Sequence, residues 1–174
     1  MTTAEILLQD YDSEIAGTRR VLERLPDNNP EYTCHEKSMP LGRLATHVAT
    51  LPLFGKTILT TPGMDMADPN QTFPRLTWSN RDATLAAFDA NARDCRAALA
   101  GLSDAQLAEP WKFAFGDHVI SNHPRSLSYR QFFFNHLLHH RAQLSVYLRL
   151  NDIPVPGLYG PSADEQFDPT KANA

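Results

Sequence analysis

The sequence predicts an all-α protein, a four-helix bundle with a small β-hairpin before its last helix. Three observations predict it. Four segments carry apolar residues at three- and four-residue steps, the spacing that lines one face of a helix. Stretches rich in Pro, Asp, Asn and Gly separate them. The 174 residues, 42% of them hydrophobic, suffice for one core, so residues 1–174 read as a single domain.

The first helix is expected from about Thr3 to Leu25, on the spacing of Ile6, Leu7, Tyr11, Ile15, Val21, Leu22 and Leu25, until Pro26-Asp27-Asn28-Asn29-Pro30 ends it. The second is expected from about Met39 to Leu59, with Ser38 as N-cap and Pro40 accommodated in the first turn. Pro52 lies inside it and removes a backbone hydrogen bond, which predicts a kink or bulge beside His47. The third, from about Asn80 to Leu102, buries Leu85, Phe88, Ala92, Cys95 and Leu99. The fourth, from about Ser126 to Leu150, is closed by Asn151-Asp152-Ile153-Pro154.

The connections carry their own signals. Thr60 to Ser79 is long and rich in Pro, Asp and Asn, and reads as a crossover. Ser103-Asp104-Ala105-Gln106 reads as the cap of one extra helical turn. Trp111 to Phe115 and Val119-Ile120 alternate around Gly116-Asp117, the pattern of a hairpin. Residues 151–174 read as an extended tail, in which Ile153, Val155, Leu158 and Tyr159 predict packing along the bundle before fraying near Asp168.

Charge and composition exclude several functions. The net charge is −4, the pI is about 5.9 and no Lys/Arg-rich run is present, which argues against nucleic acid as a partner. No apolar run approaches the roughly 18 residues of a membrane span. Met1-Thr2-Thr3-Ala4-Glu5 lacks the basic-then-apolar layout of a signal peptide, so a cytoplasmic location is expected. Cys34 and Cys95 lack the spacing of a redox pair or a zinc knuckle and are expected to be free, buried thiols.

The segment Phe132-Phe133-Phe134-Asn135-His136-Leu137-Leu138-His139-His140 carries the chemistry. His136 and His140 are four residues apart, so their rings stack on one helix face, about 6 Å apart along the axis. Taking His136 as zero and about 100° per residue, His140 falls near 40°, Leu144 near 80° and Leu137 near 100°. Both rings therefore point into the apolar arc, while His139, about −60°, sits at its edge. In the second helix His47 lies on a stripe with Leu44, Leu51, Phe54 and Ile58 and also points inward. Three inward histidines with no carboxylate in the same stripes favour a metal over hydrogen-bonded core histidines. Three nitrogens with one position left open is the layout of a catalytic rather than a structural metal, and suits zinc, nickel, iron or copper, not magnesium or calcium.

Leu41-Gly42-Arg43-Leu44-Ala45-Thr46-His47 and Asn135-His136-Leu137-Leu138-His139-His140-Arg141-Ala142-Gln143-Leu144 resemble the second-helix and last-helix motifs of the DinB-like superfamily, the DNA-damage-inducible proteins and their metal-dependent hydrolase relatives. Tyr147-Leu148-Arg149 and the run from Asn151 to Gly157 resemble its ending. The resemblance implies a four-helix bundle of up-down-down-up order, with His47, His136 and His140 as first, second and third ligands of a divalent transition metal: nickel or zinc, with iron also used by relatives. It implies a homodimer in many members. In some it implies S-transfer from a low-molecular-weight thiol.

The sequence-based expectation is therefore a metal-binding protein that activates water or a low-molecular-weight thiol toward a small-molecule substrate, as a hydrolase or S-transferase. A non-catalytic metal-binding stress-response protein acting through partner contacts stays open beside it. No residue is assigned as catalytic. Gln143, at about −20°, and Tyr129 and Tyr147, each at about 20°, are candidate supporting groups near the ligands, with core packing the stronger reading for each tyrosine and a helix-packing or capping contact equally open for Gln143. No role is assigned to His35, His118, His123 or His139.

Overall fold

Helix α1 (Thr3–Leu22) begins at a capping box, in which the Thr2 side chain accepts from the Glu5 N–H and the Glu5 carboxylate accepts from the Thr2 N–H. Helix α2 (Leu41–Thr60) starts directly after Pro40 rather than at Ser38. No side chain caps it. Its first two amides donate instead to the carbonyls of Tyr32 and Pro30, both at 2.8 Å, so the preceding loop supplies the acceptors. Helix α3 (Arg81–Ala100) is capped by Asn80. Helix α4 (Asp104–Ala108) is the extra turn, with Ser103 and Gln106 forming a second capping box. In the computed structural model, which describes residues 1–71 and 75–166, the chain is mostly helical with one small sheet.

The last helical stretch has three parts: α5 (Arg125–Ser128), a π-helical segment (Tyr129–Phe134) and α6 (Asn135–Leu150). The N–H of Asn135 donates to the carbonyl of Arg130, five residues back, so the register widens immediately before His136. The irregularity expected beside His47 is thus found beside His136. Helix α2 continues through Pro52, which lies buried within it.

The four long helices share one core. Helices α1 and α2 each pack against both α3 and α6, and α2 also packs against the π segment. Leu22, Leu44, Val48, Phe88, Leu99, Phe133, Leu137 and Leu144 lie in it. Ile153, Val155 and Leu158 of the tail pack on its edge, as expected. Arg20 and Arg24 hold Glu165, and Arg149 holds Asp164, pinning the tail to α1 and α6. The expected fraying near Asp168 lies outside the described residues.

The hairpin is present. Strands β2 (Pro110–Phe115) and β3 (His118–Pro124) pair antiparallel, and Phe115 faces His118 across Gly116-Asp117. Gly116 has φ of +57°, the conformation that a two-residue loop requires of its first residue. A third strand, β1 (Gly63–Asp65), was not foreseen. It comes from the Thr60–Ser79 connection and pairs parallel to β2, giving the order β1-β2-β3. A side chain at Gly63 would meet the Lys112 carbonyl oxygen at 2.5 Å, so only glycine permits this approach.

Candidate metal centre

His47 comes from the first half of α2, and His136 and His140 from successive turns of α6. All three are partly buried, and their rings meet. Nε2 of His47 lies 3.3 Å from Nε2 of His136, which lies 2.8 Å from Nε2 of His140. Ring centroids of His47 and His140 are 4.5 Å apart, nearly edge to face. Among the described residues, these three form a cluster whose donor atoms all lie within 4.8 Å of one another. The sequence-predicted trio is therefore assembled in space.

The far side of each α6 ring fixes its tautomer. His136 Nδ1 lies 3.2 Å from the carbonyl oxygen of Phe132. His140 Nδ1 lies 2.7 Å from Oε1 of Gln143. Both partners only accept, so each Nδ1 carries the proton and each Nε2 presents a lone pair inward. Burial lowers the pKa of all three imidazoles below the usual histidine value. His47 falls to about 4, through burial first and then the neighbouring His140 and His136. At neutral pH the site is therefore three uncharged imidazoles, and on α6 two lone pairs face each other at 2.8 Å.

That donor set fits a transition-metal cation. Lone pairs at such a distance repel, and a cation at their focus converts repulsion into coordination. Nitrogens held about 2.0–2.1 Å from one tetrahedral ion lie about 3.3 Å apart. The His47–His136 separation of 3.3 Å matches this value, and the His136–His140 separation is shorter. Hydrogen bonds on Nδ1 are the usual outer support of metal-binding histidines.

A cleft of about 630 Å³ opens beside the cluster. His47 and His136 line it, together with Met39, Arg43, Thr46, Thr50, Phe54, Met64, Met66, Arg75, Leu76 and Phe113. The sheet supports this wall: Phe113 of β2 packs edge-on against Phe132, 5.1 Å between centroids, and Phe132 supplies the carbonyl that holds His136.

The other candidate residues fall elsewhere. Tyr129 is fully buried in the core against Phe133 and Phe134, with no partner for its hydroxyl among the described residues, and does not line the cleft. Tyr147 donates to the Met39 carbonyl at 2.9 Å and stands edge-on to Tyr32; it does not line the cleft either. His118 and His123 are exposed on β3, and His35 is exposed in the loop before α2. His139 is exposed, with its ring 4.8 Å from that of His140. Both cysteines are free, but only Cys95 is buried; Cys34 is exposed in a loop whose core contacts come from Tyr32 and Met39 instead. Sequence reasoning missed Arg43 and Arg75 as cleft residues. The signal at Arg43 was its position one turn before His47 on the same face.

Long helices that share one core and present three converging imidazoles beside an open cleft define a mostly helical protein with a candidate metal centre. The chain belongs to the DinB family, whose model matches residues 1–170. It is 26% identical over 164 residues to YrdA of Bacillus subtilis (strain 168), itself uncharacterised, covering 94% of this chain and 92% of that one. Its fold is similar to that of a DinB-like protein from Bacillus cereus ATCC 10987 (TM-score 0.62, 21% identity, 87% of this chain and 95% of that one). It is similar also to that of the DinB-like protein YjoA of Bacillus subtilis (TM-score 0.65, 19% identity, 92% and 98%).

Proposed function

We propose that the protein is a metal-dependent enzyme in which His47, His136 and His140 hold a divalent transition metal, nickel or zinc. The observation that carries this reading is the set of three neutral imidazoles, with the Nε2 lone pairs of His136 and His140 turned inward by acceptors on their far sides. Membership of a family whose fold is associated with metal binding supports it. Such a metal supplies Lewis acidity, lowering the pKa of a water or thiol nucleophile toward neutrality.

The protein's own groups do the remaining work. The Phe132 carbonyl and Gln143 hold the α6 rings in register. Apolar and polar residues share the cleft wall, so a substrate can be oriented beside the histidines. Among the described lining residues there is no carboxylate, and the only histidines are His47 and His136, so no separate general base stands in the cleft. That favours a nucleophile that ionises readily, a low-molecular-weight thiol, over unaided water. The reaction we favour is accordingly thiol S-transfer to a small-molecule substrate, with hydrolysis as the alternative.

The reading extends to a four-helix bundle of up-down-down-up order, supported by the packing of α1 and α2 each against α3 and α6 and by the long α2–α3 connection. It extends also to a cytoplasmic homodimer, which sedimentation showing only monomer would reject. The deciding experiment is metal analysis of protein purified without a histidine tag and dialysed. About one nickel or zinc per chain is expected in the parent and none in His140→Ala. Metal absent from both overturns the reading, as does thiol-transfer or hydrolytic activity indifferent to a chelator.

A further inference from the structure

We propose that the cleft beside the three histidines binds an amphipathic carboxylate, a small molecule with an apolar body whose carboxylate is held by Arg43 and Arg75. The inference rests on the reading of this cleft as the substrate site. Arg43 stands on α2 one turn before His47, and Arg75 comes from the connection that follows β1; both line the cleft with His47 and His136.

The pairing of the arginines points to this use. Among the described residues every arginine except Arg43, Arg75 and Arg130 has a carboxylate partner. The protein is acidic, with a net charge of −4, so carboxylates are not scarce. Two of the three arginines left without one nonetheless face the same cleft. No Asp or Glu lines that cleft among the described residues, so an anionic guest meets two guanidinium groups and no opposing charge. The guanidinium fork matches a carboxylate with two parallel hydrogen bonds.

The rest of the wall sets the body of the guest. Met39, Met64, Met66, Leu76 and Phe113 form an apolar surface beside the arginines, and Met66 is 56% exposed. Methionines adapt to irregular apolar shapes. An inorganic anion would leave this wall bare, and a neutral apolar molecule would leave both cations unmatched. Only a molecule carrying both characters uses both halves of the cleft.

The test is calorimetric binding of ω-phenylalkanoates of increasing chain length, their neutral amides and inorganic phosphate, each to chelator-treated and to zinc-supplemented protein. The acids are expected to bind about tenfold or more tightly than the amides, and more tightly than phosphate. Arg43→Gln and Arg75→Gln, both exposed positions, should each weaken the acids about tenfold and leave the amides unchanged, with or without zinc. Failure of every acid to bind, equal binding of acid and amide, or phosphate binding as tightly as the acids overturns the proposal. Acid binding that needs zinc and ignores both arginine substitutions assigns the carboxylate to the metal; it overturns the proposal and leaves the metal reading standing. Arginine-dependent binding by a protein that takes up no zinc upholds the proposal and removes the metal reading.

Discussion

Oε1 of Gln143 lies 2.7 Å from Nδ1 of His140, one turn further along α6. The amide oxygen accepts the Nδ1 proton and so leaves the Nε2 lone pair directed at His136. His136 gets the same service from a backbone carbonyl, which no substitution removes, so Gln143 is the adjustable support of the site. Gln143→Ala should lower zinc affinity by about 10–100-fold in competition with a chromophoric chelator, and Gln143→Glu should restore most of it. Unchanged affinity in Gln143→Ala would show that packing alone orients His140.

The metal-free protein should lose stability as pH falls below 6.5. His47 has a folded pKa of about 4, lowered by burial, against about 6.5 in an unfolded chain. Between those values the unfolded chain binds a proton that the folded chain refuses, so protonation favours unfolding. The His47 contribution is therefore complete above about pH 6.5, lost progressively toward pH 4 and constant below it. His136 and His140, lowered in the same direction, act with it. Urea titrations of chelator-treated protein at pH 7.5 and 5.5 should show a smaller drop in His47→Gln than in the parent, and an equal drop would refute the assignment.

The legibility of the site follows from where the helix is regular. His136 and His140 both lie in α6, where counting about 100° per residue holds, and the rings meet as the count requires. Tyr129 was placed on the same face by counting back through the π segment. There the hydrogen bond takes five residues rather than four, and Tyr129 takes the core-packing place that was its stronger reading rather than a place beside the ligands. No residue type in Tyr129–Phe134 announces that segment. Strand β1 was hidden for a related reason: three residues pair only because β2, far along the chain, offers an edge. The hairpin was readable because its turn is local, with Gly116 meeting a requirement that few other residues can meet.

Arg141 adjoins the His140 ligand in sequence yet faces away from the site. Its guanidinium is buried against α1, with Nη1 2.7 Å from the Glu14 carboxylate and 3.1 Å from the Glu14 carbonyl, and with a bond to the Tyr159 hydroxyl. Removing the cation leaves a mostly buried carboxylate without its charge partner. Arg141→Met should cost about 3 kcal/mol, a fall of roughly 6–12 °C in Tm for a chain of this size. Adding Glu14→Gln should recover part of that loss, since the stranded charge is then gone. Zinc affinity should stay within about twofold of the parent, which separates this buried pair from the metal centre.

Gly55 sets how closely α2 approaches the π segment, and with it the distance between His47 and His136. A Cβ there would lie 2.8 Å from Cδ1 of Phe133 and 2.9 Å from Sγ of Cys95, both in the core. Neither neighbour has room to move, so Gly55→Ala forces the two elements apart, at about 1–3 kcal/mol. Phe133 is three residues before His136, so the displacement reaches the α6 ligands while His47 stays on α2. Gly55→Ala should therefore lower both urea stability and zinc affinity. Gly101→Ala is the control: its nearest contacts are backbone oxygens at 3.6 and 3.7 Å, and α3 ends there far from the cleft lining. It should leave zinc affinity unchanged and stability within about 1 kcal/mol. Equal zinc affinity in Gly55→Ala and the parent would mean that the histidines find their geometry independently of the α2–π contact.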